Sequence, residues 1–141
     1  MSDAPRHLAR IVVLQSLYAA EHGNQTTVQA FESLIVKEEM KDKNKEFARN
    51  LLAEVVNRTE WADAQISELA ENWKIERIAS VDRTIMRMAM VELEVFIDTP
   101  IKVVLNEAIE LAKEFSTNAS SKFINGILDN FIKKQNELKN Q

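Results

Sequence analysis

Glycine and proline interrupt this chain at only four places, Pro5, Gly23, Pro100 and Gly126. Tight hairpins need residues that accept positive φ or a preset turn, so a chain this poor in both has little material for strands joined by short turns. Ala, Glu, Lys, Leu and Ile are frequent instead, and most of these favour helix. The sequence predicts an all-α protein.

The same breakers mark helix ends. Asp3 before Pro5 reads as an N-cap with proline in the first turn, and Gly23 closes a helix that runs to about Glu21. Its middle, RIVVLQSLYAA, is apolar on most sides, which predicts a central helix with only its first turns free to present polar groups. Thr26 and Thr27 can cap a second helix through about Met40. The stretch FARNLLAEVVNRTEWADAQISELAENW is one helix or two with a joint near Thr59, where the apolar spacing is lost. Ser80 or Asp82 starts the next helix, through about Phe96, and Thr99 as N-cap with Pro100 at the first helical position opens another. The last helix spans about Asn118 or Ala119 to Lys134, and residues 135–141 are expected to fray. With no repeat or linker, residues 1–141 read as a single domain.

A chain of 141 residues buries enough surface to fold without staples. The absence of cysteine removes disulfides, thiolate metal sites and cysteine nucleophiles. No apolar run approaches the roughly 20 residues of a membrane span, and MSDAPRH lacks the pattern of a signal peptide, so a cytoplasmic protein is expected, with no membrane partner. The net charge of −4 argues against gripping nucleic acid by bulk electrostatics, so any nucleic-acid role must be local or shared.

Reaction chemistry finds no support. His7 and His22 lie fifteen residues apart with no cysteine to join them, which gives no zinc site. There is no Gly-rich phosphate loop, no serine in a strained elbow and no HExxH. Neither a catalytic residue, a metal nor a cofactor is expected.

Three features are less ordinary. Glu92 falls on an apolar face with Val81, Ile85, Met88, Ala89 and Phe96, where an unpaired carboxylate is costly. It is either a structural carboxylate holding an arginine or a helix N-terminus, or a functional switch. Arg6 and Arg10 lie one turn apart, as do Arg83 and Arg87. Such pairs are solvated or bound to nearby acids, or else join Lys113, Lys122 and Phe123 in a small basic patch around an aromatic, a composition suited to single-stranded nucleic acid. In SSKFINGILDN, residues 120–130, spacing at 100° per residue gathers Ile124, Ile127, Leu128 and Phe131 into a core stripe. Phe123 falls at its edge beside the short side chains of Ala119, Gly126 and Asn130. Gly126 clears space for a flat ligand or for a neighbouring helix, and the packing explanation is preferred.

Several of these pieces resemble one known family. VDRTIMRMAMVEL, the NEAIELAK run at 106–113 and SSKFINGILD at 120–129, with PRHLARIVVLQSLYAAE upstream, are similar to bacterial NusB antitermination factors, collinearly over nearly the whole chain. The resemblance implies about seven helices in two packed bundles. It also implies pairing with the ribosomal protein NusE, binding of single-stranded boxA RNA by the pair, and assembly with other Nus factors on RNA polymerase, notably in ribosomal RNA operons. Family members occur as monomers and as homodimers. The family's arginine-rich motif falls on Arg6 and Arg10, with His7, taken as neutral at pH 7, where a further basic residue is common. Its RNA surface falls on Asp82, Arg87, Lys122 and Phe123, with Tyr18 near the partner and RNA surfaces. A carboxylate such as Asp82 can accept from a base amino group, and Phe123 offers a stacking face. A helical module that docks on protein without useful RNA affinity is the competing expectation. A second, weaker competing expectation is the NusB-like domain found fused to RNA cytosine methyltransferases, for which 141 residues leave no room.

Overall fold

The computed structural model describes residues 4–71 and 73–140. Seven α-helices and one 3-10 turn are present and no strand occurs among the described residues: α1 Ala4–His22, α2 Thr27–Ile35, α3 Asp42–Asn57, α4 Thr59–Leu69, the 3-10 turn Ile75–Arg77, α5 Ser80–Val95, α6 Ile101–Phe115 and α7 Asn118–Lys139. The expected N-cap Asp3 lies outside the described residues. No helix is long and apolar enough to cross a membrane.

One bundle is formed by α1, α2 and α3, and a second by α4 to α7; α5 lies at the seam, packed against α1, α3, α4, α6 and α7. The central place therefore belongs to α5 more than to α1. Its methionines Met86 and Met90, with Ile85 and Val91, are wholly buried, and their flexible chains suit a helix touched from every side. The α1 helix departs from expectation at both ends, burying Arg10 in an early turn and leaving Gln15 and Tyr18 exposed further along.

Boundaries follow from what each segment can bury. Thr26 caps α2, its hydroxyl accepting from the Gln29 amide while the Gln29 side chain accepts from the Thr26 amide. The helix stops at Ile35, short of the expected Met40, because Val36 is 74% exposed and no core-facing residue follows at helical spacing. The long stretch divides at Arg58, whose backbone leaves the helical region at φ −113°, and the Thr59 hydroxyl bonds back to the Val55 carbonyl at 2.8 Å. At α6 the cap is Pro100, with extended ψ of 140°, and not Thr99. Thr99 sits one residue further out, and its hydroxyl oxygen takes a weak 3.5 Å contact from Arg6. Thr117 caps α7 by accepting from the Ser120 amide at 2.9 Å, and the helix continues past Lys134 to Lys139.

On α7 the stripe Ile124, Ile127, Leu128 and Phe131 is buried, with Phe123 half-buried at its edge. On α6 Val104, Ala108, Leu111 and Ala112 are buried, but Ile101 is half exposed and the polar Glu107 is buried in its place.

Candidate nucleic-acid interface

The first turns of α5 and α7 meet at one end of the second bundle. Ser80, Val81 and Asp82 open α5, and an acidic residue in a first turn is favoured by the helix dipole. The buried Asp82 accepts at Oδ2 from the Ser120 hydroxyl at 2.7 Å, and the Ser120 oxygen itself accepts from the Ser116 and Thr117 hydroxyls at 3.0 Å each. Beside this network lies a groove of about 320 Å3 lined by Trp73, Arg77, Ile78, Ala79, Asp82, Ala119, Ser120 and Phe123. Phe123 packs one face on the core and reaches the groove with the rest.

Across the α5 N-terminus a second groove, of about 420 Å3, is lined by Leu14, Gln15, Tyr18, Ala19, Leu34, Val81 and Phe115. Adjacent residues of one turn thus serve two grooves, Val81 this one and Asp82 the other. Tyr18 meets His22 with ring centroids 4.3 Å apart and planes tilted by 39°, and His22 Nε2 lies 2.8 Å from the Ser80 hydroxyl. Arg83 fixes the arrangement, donating to Glu21 at 3.0 Å and to the Ile75 carbonyl at 3.1 Å.

Tyr18, Asp82, Lys122 and Phe123 therefore surround the starts of α5 and α7. Among the described residues Lys122, and Lys113 in the last turn of α6, are exposed and hold no ion partner. Arg77, on the wall of the first groove, is a third exposed cation there without an ion partner among the described residues.

The other residues expected at an RNA surface are elsewhere. Arg10 is 2% exposed and donates from Nε and Nη2 to the two oxygens of Glu92 at 2.9 and 2.6 Å, with Nη1 3.8 Å from Glu107. Burial corrects its expected place on a surface: the side chain presents nothing to a strand of RNA. Ten residues of α5, about 15 Å at 1.5 Å per residue, separate Asp82 from Glu92. Arg6, beside Arg10, lays its guanidinium 4.3 Å over the Phe47 ring. Arg87 is engaged by Asp63 in a two-pronged pair at 2.6 and 2.9 Å that ties α5 to α4. His7 also departs from expectation. Its Nδ1 lies 2.5 Å from Glu107 and its Nε2 3.5 Å from Glu114. Partial burial pulls its pKa down, but the bonds and charges of Glu107 and then Glu114 outweigh this and hold it above 6.5. It is more cationic than an ordinary histidine, and that charge faces inward to acids.

Trp73 and Arg77 were not among the expected site residues. In ENWKIE the tryptophan reads as the end of a helix. Only the stop of α4 at Leu69 leaves it 55% exposed beside Phe123. Its signal was a large aromatic among polar neighbours.

Fold and site define an all-helical, two-bundle protein with an aromatic groove where its two most diagnostic helices begin. The NusB family model matches residues 7–133. The chain is 41% identical over 125 residues to the transcription antitermination protein NusB of Salinibacter ruber, covering 88% of this chain and 78% of that one. It is similar in structure to T. maritima NusB, with a TM-score of 0.85 and 36% identity, covering 94% and 93% of the two chains. It also shares its fold with NusB in a crystal structure of antitermination factors NusB and NusE in complex with dsRNA, with a TM-score of 0.84 and 22% identity over 94% and 98% of the chains. The chain belongs to the NusB family, which comprises transcription antitermination factors and not enzymes.

Proposed function

We propose that this antitermination factor acts as the RNA-binding partner of a NusE protein, the pair holding single-stranded boxA RNA, notably in ribosomal RNA transcripts. Other Nus factors and RNA polymerase complete the assembly. The observation that carries the reading is the groove at the starts of α5 and α7, where Phe123 offers a stacking face, Asp82 an acceptor and Lys122 a phosphate contact. Tyr18 extends the surface across α5, and Lys113 adds a second exposed cation. Arg6 contributes at the far end, while Arg10 and Arg87 act through the scaffold, by holding Glu92 and Asp63.

The NusE and RNA part of the reading has support from a protein of the same fold crystallised with NusE and dsRNA. With few free cations this chain alone is expected to bind RNA weakly, and a strand spanning its surface and that of NusE gains affinity from the linkage. A gel-shift titration of a short boxA RNA tests this: the pair is expected to shift it at lower concentration than either protein alone. Equal titration curves with and without NusE would contradict the shared-surface reading.

The competing function, a helical module that docks on protein with little RNA affinity, has one observation in its favour. The basic motif at the start of α1 is turned inward, Arg10 onto Glu92 and His7 onto Glu107. A pair that forms with NusE but shifts no RNA would establish it.

A further inference from the structure

The end of α1 and the first turn of α5 are clasped by two consecutive residues. Glu21 pairs with Arg83 at 3.0 Å, and His22 Nε2 lies 2.8 Å from the Ser80 hydroxyl and 3.9 Å from Glu21. The same imidazole meets Tyr18, four positions earlier on one face of α1, with ring centroids 4.3 Å apart. Tyr18 is 44% exposed and His22 is exposed as well, so neither ring builds the core.

An exposed tyrosine on a helix has more than one staggered rotamer open to it, and the cost of ordering a mobile side chain falls on the binding step. His22 removes much of that freedom, because its ring lies against Tyr18 while Ser80 anchors its Nε2. Val81, next to Ser80, lines the groove of about 420 Å3 that Tyr18 borders with Leu14, Gln15 and Phe115. One turn of α5 thus supplies both a wall of this groove and the anchor for a ring that lines it.

We propose that His22 is a positioning residue: held on Ser80, it fixes the Tyr18 ring beside this groove and presets the α1 side of the surface that NusE and RNA share. The inference rests on the RNA-binding reading above and deepens it. His22 needs no contact with either ligand, since it acts through Tyr18. The rotamer freedom that a preset ring no longer loses on binding corresponds to about three- to tenfold in affinity.

The test uses the full chain. Tyr18 is the single tyrosine of the sequence, so ring-labelled tyrosine gives one set of NMR signals. In the free protein, His22→Ala is expected to move these signals to rotamer-averaged values. Ser80→Ala, which removes the anchor and no ring, is expected to move them in the same direction. With NusE and a labelled boxA RNA, read by fluorescence anisotropy, each variant is expected to bind about three- to tenfold more weakly. The double variant is expected to bind no more weakly than His22→Ala alone, as for two residues that act as one unit. The urea midpoint is expected to stay close to that of the unaltered protein throughout. Tyr18 signals unmoved by Ser80→Ala, RNA affinity unmoved by His22→Ala, or losses that add in the double variant overturn the proposal and leave the RNA-binding reading standing. A fall in the urea midpoint that matches the loss of affinity overturns it too, because the clasp is then structural only. Failure of the unaltered pair to bind the RNA overturns both.

Discussion

Arg10 and Glu92 are joined by two parallel hydrogen bonds of 2.9 and 2.6 Å in the interior, tying an early turn of α1 to the far end of α5. Glu107 stands 3.8 Å from the same guanidinium, so one cation is shared by carboxylates from two helices. The pair fixes how the two bundles meet.

Removing one member leaves the other buried and uncompensated. Arg10→Ala is expected to destabilise the protein by about 3–5 kcal/mol. The double change Arg10→Met with Glu92→Leu is expected to cost much less, because an apolar pair of similar volume carries no desolvation penalty. Urea unfolding of the three proteins checks this. Arg10→Ala within about 0.5 kcal/mol of the unaltered protein would mean that the pair is not buried in solution.

His7 makes stability depend on pH with a defined sign. Its pKa is raised above 6.5 by the folded structure, so its contribution is fully present below that value and is lost as pH rises through the folded-state pKa. His7→Gln is expected to be less stable than the unaltered protein at pH 6, with the two converging as pH rises above neutrality. Denaturant unfolding from pH 6 to 9 measures the difference, and a constant gap across that range would remove the linkage.

Gly126 is exposed in α7, and a Cβ built there meets nothing within 4 Å. Close packing by a neighbouring helix, the preferred explanation from sequence, is therefore excluded. Gly126→Ala is expected to raise stability by about 0.5–1 kcal/mol through helix propensity. Thermal unfolding tests the gain. A loss of stability would show a neighbour that the structure does not place there.

Phe123 is half-buried, so its truncation cannot be read from binding alone. Phe123→Ala is expected to weaken RNA binding by about 1–3 kcal/mol and to lower stability as well. Phe123→Leu keeps much of the packing but lacks a stacking face. It is expected to restore most of the stability and little of the RNA affinity, and recovery of both together would make Phe123 a core residue only.

These residues also show what a linear chain reveals. The α7 stripe and the edge position of Phe123 were legible because 100° spacing is a local property of one helix. The helix break at Pro100 was legible to within a residue because turn and cap chemistry is local too, whereas near Thr59 the sequence left one helix or two open and the structure divides them at Arg58. Glu92 was legible as a buried carboxylate from its own face, but its partner lies 82 positions away, and no periodicity carries that distance. Arg10 shows the same limit in reverse: arginines one turn apart look like a solvated surface until α5 and α6 close over one of them. Glu107 hid inside NEAIELAK as an ordinary polar residue, although it receives both His7 and Arg10. Trp73 became visible only with the end of α4. The elements were local, and the pairings that decide which charges remain free were not.

Recognition of boxA RNA by sequence is proposed for this chain and NusE together. A competition experiment tests it directly: preformed pair, labelled boxA RNA, and unlabelled boxA or a scrambled RNA of the same composition at fixed salt, since affinity without stated salt carries no meaning. Displacement by boxA is expected at concentrations at least about tenfold lower than by the scrambled strand. Equal displacement by the two RNAs would contradict it.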